Sequence, residues 1–200
     1  MVLWLPSANG LFSTKSTWKA IRLKHSTVRW HKMVWFSTAI PKCGFILWLA
    51  LHGRLGTQDR LHIDFSNMKC LLCQSCLETH DHLFFNCTFS KHIWEGLSHL
   101  CDIPLRDMPW EERIVHMIGL CKGKSFQVII RKLCLSTAIY HIWQERNNRF
   151  HEGSYRDASF VRRTIVDLIR WRLFSAKGVQ NIDENRILQH RWSLPDSIFD

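Results

Sequence analysis

Cysteine and histidine residues are concentrated in one short stretch of the chain, between residues 70 and 87, which reads CLLCQSCLETHDHLFFNC. Two cysteines separated by two residues, such as Cys70 and Cys73, can chelate one metal ion because the turn between them points both sulfurs the same way. Thiolate and imidazole donors suit zinc rather than magnesium or calcium. The stretch has no helical period and no evident core of its own, so we expect one structural Zn²⁺ to hold it together.

Six side chains compete for the four positions of a tetrahedral zinc site. Cys70 and Cys73 form the closely spaced pair, and Cys87 is the cysteine at the far end of the stretch. We prefer His82 as the fourth ligand, because the four residues between it and Cys87 allow the chain to turn back onto that cysteine. His80 is the alternative histidine, and otherwise lies at the surface or beside the site. A complete set of protein ligands marks a structural rather than a catalytic zinc.

Cys76 leaves a second alternative open. It can replace one of the preferred ligands, or the four cysteines of the stretch can hold an iron–sulfur cluster, although the distant fourth cysteine does not match the ferredoxin spacing.

The other four cysteines stand alone within or beside predicted helices, where we expect small buried hydrophobic side chains. These are Cys43, Cys101, Cys121 and Cys134. Eight cysteines without an export signal predict a reducing intracellular compartment, the nucleus or the cytoplasm.

Hydrophobic residues elsewhere in the chain recur at helical spacing, and strand signals are almost absent. Ser13, Pro41 and Thr88 stand where helices would begin, since a hydroxyl caps free amides and proline suits the first turn. The predicted fold class is mainly α: a helical bundle-like array with a small Cys3His zinc-knuckle segment and little or no sheet. We predict helices over residues 14–23, 41–52, 88–100, 110–120, 126–150 and 157–176, with shorter helical segments at 30–36 and after Thr57.

The helical pattern also predicts the core and the division of the chain. Four of the ten tryptophans lie on apolar helix faces, and we expect them to be packed in the core. They are Trp18, Trp48, Trp94 and Trp143. The predicted organisation is a helical domain over residues 1–100 with its zinc segment at 66–88, a linker with a short helix over 101–125, a C-terminal helical pair over 126–178, and a tail of little pattern over 179–200.

Several short pieces of this sequence stand in the order and spacing of one known family. Within residues 10–100 they are Phe12-Ser13 with Trp18, Ile40-Pro41-Lys42, Phe45-Ile46-Leu47-Trp48, Gly53 to Leu61, Cys70-x2-Cys73, Glu78-Thr79, His82-Leu83-Phe84-Phe85, Cys87 and Trp94. The chain resembles the zinc-binding domain found C-terminal to the reverse transcriptase of plant non-LTR (LINE-type) retrotransposons. Tyr140 to Arg149 is similar to the region that often follows in the same elements.

The resemblance implies which residues bind the zinc ion and which domain usually accompanies them. By it, Cys70, Cys73, His82 and Cys87 bind one zinc ion, and Glu78-Thr79 and Leu83-Phe84-Phe85 support them. The family's usual neighbour is a polymerase domain, but no Tyr-x-Asp-Asp motif occurs here, so we expect a piece detached from such an element. The sequence also lacks Gly-x-Ser-x-Gly, Walker-type and His-Glu-x-x-His motifs. We therefore predict no enzymatic activity, no catalytic residues and no small-molecule substrate.

The net charge of +10 lies in the two flanks of the chain. Residues 1–69 contain ten Lys and Arg against two Asp and Glu, and residues 113–200 contain fifteen against eight. Basic residues neutralise phosphates, and the resembled family works on RNA and DNA, so we predict non-specific binding of RNA or DNA. Two basic surfaces are the candidates: Lys15, Lys19, Arg22, Lys24, Arg29 and Lys32 near the N-terminus, and Arg162, Arg163, Arg170 and Arg172 on the last long helix.

Two other interpretations stay open at this point. The zinc segment contains the acidic residues Glu78 and Asp81. This acidity and the surplus of tryptophan favour a protein-interaction or scaffold module with a protein partner. A chain detached from a retroelement is also consistent with a non-functional fragment. We expect no membrane partner, because no apolar run reaches the roughly 18 residues that a membrane span needs.

Overall fold

The structure, a computed structural model, describes residues 4–23, 26–60, 69–104 and 106–200. Within these ranges the only β-type pairing is an isolated bridge between Lys69 and Leu77, and the predicted mainly α fold class is confirmed. The α-helices of the described ranges are α1 (Thr14–Ile21), α2 (His31–Val34), α3 (Pro41–Leu51), α4 (Thr88–Cys101), α5 (Trp110–Leu120), α6 (Phe126–His151), α7 (Ala158–Phe174) and α8 (Asp183–Trp192).

Capping residues explain where several helices begin. The hydroxyl of Ser13 accepts a hydrogen bond from Ser16 N at 3.1 Å, and the carboxylate of Asp157 accepts one from Phe160 N at 2.7 Å. Each bond satisfies an amide that has no partner inside its own helix. Pro41 occupies the first turn of α3, where its fixed φ fits and its missing N–H is not needed. The predicted starts of α1 and α3 are confirmed.

Helix α6 is the central element of the fold. Helices α3, α4 and α7 pack against it, and α4 also packs against α7. A helix whose apolar residues lie on most of its sides is stable only inside a core. One continuous hydrophobic core therefore includes residues from both halves of the chain, while the predicted domain boundaries stay a prediction. Among the described residues, no helix combines the length and the apolar character needed to cross a bilayer.

The four isolated cysteines are buried, as predicted. Cys43, Cys101 and Cys134 are fully buried, and Cys121 is nearly so. Burial raises the pKa of the Cys43 and Cys121 thiols to about 12. These thiols therefore stay protonated at neutral pH and pack as small hydrophobic side chains.

The predicted burial of Trp18 is wrong. Its side chain is 62 % exposed, Ile21 beside it is 69 % exposed, and α1 buries none of its residues. Helical spacing gives α1 an apolar face, but a face becomes core only where another element covers it. Trp94 is buried as predicted, and Trp48 and Trp143 pack against the core while partly exposed.

The tail predicted to lack pattern instead forms α8 and a following 3₁₀ turn, Asp196–Phe199. Trp192 is fully buried, and its indole Nε1 donates to Leu100 O at 2.9 Å. The helix is polar apart from a few anchoring residues, so its apolar period is weak. Its acidic start and its basic last turn, which favour the helix dipole, are the sequence signal that could have revealed it.

Candidate metal centre

The first two cysteines of the site lie on a tight loop whose ends are held together. Cys70 N donates to Cys76 O at 2.7 Å, and Gln74 N donates to Cys70 O at 2.8 Å. The bridge between Lys69 and Leu77 flanks these bonds. Gln74 has a φ of 56°, in the left-handed region that lets the chain reverse after Cys73. The loop therefore points the sulfurs of Cys70 and Cys73 toward one position.

The other two ligands lie at opposite ends of a single π-helical turn, His82–Asn86. Cys87 N donates to His82 O at 2.6 Å, five residues back along the chain. Such a turn is wider than an α-helical one and is frequent at functional sites. The hydroxyl of Thr79 accepts from His82 N at 3.1 Å and fixes the start of the turn. The four residues between His82 and Cys87 thus bring the two side chains back onto each other.

The structure brings Cys70, Cys73, His82 and Cys87 together, with their ligand atoms all within 4.8 Å of one another. The sulfurs of Cys70 and Cys87 are 3.9 Å apart, and Cys73 Sγ is 3.3 Å from His82 Nε2. Tetrahedral zinc with Zn–S bonds of about 2.3 Å and Zn–N bonds of about 2.0 Å places such donors roughly 3.5–3.8 Å apart. The cluster is therefore able to hold one zinc ion, which is the predicted cofactor.

The four side chains of the cluster lie close enough to hydrogen-bond to one another, and these contacts shift their pKa values. The thiol of Cys70 donates to Cys87 Sγ; this bond, with burial, raises the pKa of Cys70 to about 12. The same bond lowers the pKa of Cys87. Contact with the Cys70 sulfur, and then with that of Cys73, raises the pKa of His82. A metal that binds here displaces these protons, so its affinity falls as the pH falls.

The alternative ligands lie elsewhere. His80 is buried, and its ring centroid is 4.1 Å from that of Trp110 and 5.0 Å from that of Phe84. Burial lowers the pKa of His80 to about 4, so it packs as a neutral ring. The expectation that it would lie at the surface is wrong, because Trp110 and Phe84 supply an aromatic pocket. Cys76 is exposed and stands outside the four-donor cluster, which removes the cysteine that an iron–sulfur cluster would need.

Replacing Cys76 by serine is expected to leave zinc binding unchanged. Its side chain is exposed, and its contact with the loop is made by the backbone carbonyl, which serine retains. Metal analysis of the purified Cys76→Ser variant should give one zinc per chain, with the melting temperature of the wild type. A variant with less than half the zinc would show that Cys76 is a ligand.

The zinc segment also contributes to the hydrophobic core, which corrects the expectation that it has no core to bury. Leu83 and Phe84 are fully buried, and Phe85 stacks on Trp94 with ring centroids 5.2 Å apart. Trp94 Nε1 donates to Phe84 O at 2.7 Å. The π-helical turn therefore faces the metal with its two ends and the core with its middle.

A buried ion pair ties the zinc segment to α6. Arg146 donates to Glu78 from Nη2 at 2.9 Å and from Nε at 3.1 Å, and both side chains are almost completely buried. The same carboxylate accepts from Gln58 N at 3.2 Å. Charge-assisted bonds of this kind are strong, and buried charges need such partners. Glu78 directly follows the loop of residues 70–77 that carries Cys70 and Cys73, which we call the knuckle loop. The pair therefore fixes the knuckle loop against the central helix.

Arg149, one turn further along α6, contacts the knuckle itself. Its Nη1 donates to the carbonyl oxygens of Leu71 and Leu72, the two residues between the first cysteines, at 3.1 and 2.9 Å. Its Nε donates to Glu145 at 2.8 Å, which orients the guanidinium. Sequence analysis did not assign Arg146 or Arg149 a role. The available signal was a polar, charged end on a helix that is otherwise apolar.

The predicted basic residues differ in their solvent exposure and in their contacts within the chain. Lys15, Lys19, Arg22, Arg29 and Lys32 are all exposed, while Lys24 lies outside the described residues. On α7, Arg163 is exposed and Arg162 lies across Gly96 of α4. Two others donate to backbone carbonyls within the chain: Arg170 to Trp192 O at 3.1 Å and Arg172 to Thr38 O at 2.8 Å. The second basic surface is thus partly occupied by internal contacts.

A helical array joined to a cluster of four metal donors defines the class of zinc-stabilised helical domains. Within that class, residues 12–94 match the family described as zinc-binding in reverse transcriptase. The match supports a reverse transcriptase zinc-binding domain in this part of the chain. It ends within α4, so Arg146 and Arg149 lie beyond it. No curated protein and no solved structure gave a significant match.

Proposed function

We propose that this protein is a zinc-stabilised nucleic-acid-binding module derived from the reverse transcriptase of a plant non-LTR (LINE-type) retrotransposon. We assign this chain no polymerase or other catalytic activity of its own. The match of residues 12–94 to a reverse transcriptase family supports this origin. Four protein donors complete a tetrahedral site without leaving a position for substrate, which favours a structural role for the metal.

The observation that carries the proposal is the exposed basic surface near the N-terminus. Its five described members, given above, are exposed, and none of them forms an ion pair with an acidic side chain of the described residues. Basic residues that no internal acid neutralises are available to phosphates, whose neutralisation supplies most of the affinity in non-specific binding. The partner is therefore RNA or DNA with little sequence preference.

The chain is expected to bind nucleic acid with an affinity that falls steeply with salt. If all five exposed residues contact phosphates of a single strand, the slope of log K against log salt is about −3.5. Fluorescence anisotropy with labelled RNA and DNA oligonucleotides, at several salt concentrations, measures this slope. The Lys15→Glu/Lys19→Glu double variant should bind at least about tenfold more weakly, because two contacts become repulsive.

The matched control changes the same charge elsewhere. Arg106 and Lys177 are exposed and lie outside both basic surfaces. The Arg106→Glu/Lys177→Glu variant should stay within about threefold of the wild type at the same salt. An equal loss of affinity in both double variants would mean that only the net charge governs binding, and not this surface. Undetectable binding of the oligonucleotides by the wild-type chain would overturn the proposal.

A protein partner is the second candidate, favoured by the exposed apolar face of α1. Trp18 and Ile21 lie one helical turn apart on this face, and both are more than half exposed. Exposed apolar patches often mark interaction sites. Size-exclusion chromatography and pull-down experiments separate the two functions, because a stable stoichiometric protein partner without nucleic acid would favour this face. All eight cysteines are free thiols, which supports residence in a reducing compartment, the nucleus or the cytoplasm.

A further inference from the structure

We propose that a groove between α2 and the α5–α6 connection binds a single-stranded segment of nucleic acid. This proposal rests on the proposed function, and it specifies where the nucleic acid binds and that it is single-stranded. The groove has a volume of about 360 Å³. One wall comes from residues 27–33 and the other from residues 118–123. The two halves of the chain therefore build it together.

The charge of the groove is of one sign. Arg29 and Lys32 line it from the N-terminal side and Lys122 from the opposite side, and its lining contains no acidic residue. All three side chains are exposed. A concave surface lined by charges of one sign focuses the electrostatic potential, which raises the local concentration of anions. The groove therefore attracts phosphate groups more strongly than a flat surface with the same three charges.

Lys132 of α6 adds a buried positive charge behind the same wall. Its side chain is only 5 % exposed, and its Nζ donates to Gly123 O at 3.4 Å. Its ammonium group forms no ion pair with any acidic side chain in the described part of the chain. Burial lowers the pKa of Lys132, and the charge of Lys32 acts in the same direction. A phosphate in the groove would compensate both lysines.

The form of the nucleic acid follows from the apolar part of the groove. Val28, Met33 and Ile118 also line the groove, and of these Val28 is 43 % exposed. Proteins that bind single strands combine a positively charged groove that follows the phosphates with side chains that contact the unpaired bases. A duplex keeps its bases stacked inside and presents phosphates alone. The groove thus favours a single strand over a duplex.

The test uses the full zinc-loaded chain and two double variants of equal charge. Lys32→Ala/Lys122→Ala removes one cation from each wall, and Arg106→Ala/Lys177→Ala is the control. Anisotropy is measured with labelled oligo(dT), and with the same strand paired to oligo(dA). The groove variant should bind the single strand at least about tenfold more weakly and lower the salt slope by about 1.4, whereas the control stays near the wild type.

The outcomes separate this proposal from the proposed function. If the wild type binds oligo(dT) and the groove variant binds it equally well, the groove is overturned while nucleic-acid binding stands. Tighter binding of the duplex than of the single strand also overturns the groove proposal. If the wild type binds neither ligand, both proposals fail. Circular dichroism of each variant checks that the helices are retained.

Discussion

Removal of zinc by a chelator is expected to unfold the segment around the metal centre and to abolish the cooperative melting transition. Binding of structural zinc contributes about 10–16 kcal/mol in small zinc domains, whereas the net stability of a whole domain is about 5–15 kcal/mol. Without the ion, the buried sulfurs of Cys70 and Cys87 lose their bonds to the metal and keep only the weak contact between them and with neighbouring groups. Thermal melts by circular dichroism, before and after chelation, measure the loss together with the metal content.

Substitution of a ligand should reproduce the effect of chelation. Cys70→Ser or Cys87→Ser replaces a fully buried sulfur donor by a hydroxyl, which is a poor zinc ligand and puts a more polar group in the buried site. Both variants should purify without zinc and melt without a cooperative transition. Cys76→Ser is the matched control and should behave as the wild type. A purified wild-type chain that is free of zinc yet melts cooperatively would contradict the zinc site altogether.

Breaking the buried ion pair between Glu78 and Arg146 is expected to be the second large effect. Arg146→Met leaves the Glu78 carboxylate buried without its guanidinium partner, and Glu78→Leu leaves the arginine buried without a carboxylate partner. Loss of one partner of such a pair costs about 3–5 kcal/mol. Urea unfolding of the zinc-loaded variants should show this decrease in the free energy of unfolding. The variants should also bind zinc more weakly, because the pair holds the knuckle loop against α6.

The double variant and an exposed pair complete the experiment. Arg146→Met/Glu78→Leu removes both charges, so its loss should be clearly smaller than the sum of the two single losses. Arg191 and Asp102 form a pair at 2.7 Å that is much more exposed. Arg191→Met should therefore cost at most about 1 kcal/mol. Equal losses for the two arginine variants would show that burial does not govern the contribution of these pairs.

Features that depend on residues close in sequence were the ones that sequence analysis could predict. The spacing of Cys70 and Cys73 and the spacing of His82 and Cys87 each describe one local turn, and the structure forms both turns. Spacing favoured His82 over His80 as the fourth ligand, and the structure places His82 in the cluster. The aromatic pocket around His80 could not be predicted in this way, because Trp110 contributes to it from α5, far along the chain.

Features that depend on residues far apart in sequence were missed. The amphipathic period of α1 predicted that Trp18 is buried, but no described element covers that face. Conversely, the weak pattern of the tail gave no sign that Trp192 fills a place beside Leu100. The pattern describes one helix at a time, whereas burial is a property of two surfaces that meet.

The sequence by itself determined the helices with strong caps and apolar periods, the zinc knuckle and the kind of metal, because backbone turns and ligand chemistry act over a few residues. Only the tertiary structure decided that the polar end of α6 holds the knuckle, through Arg146 to Glu78 and through Arg149 to Leu71 and Leu72. It also decided which basic residues lie free and which two stretches of chain form the basic groove. The reason is that hydrogen bonds and charges act through space, and packing sets which distant residues come within their range.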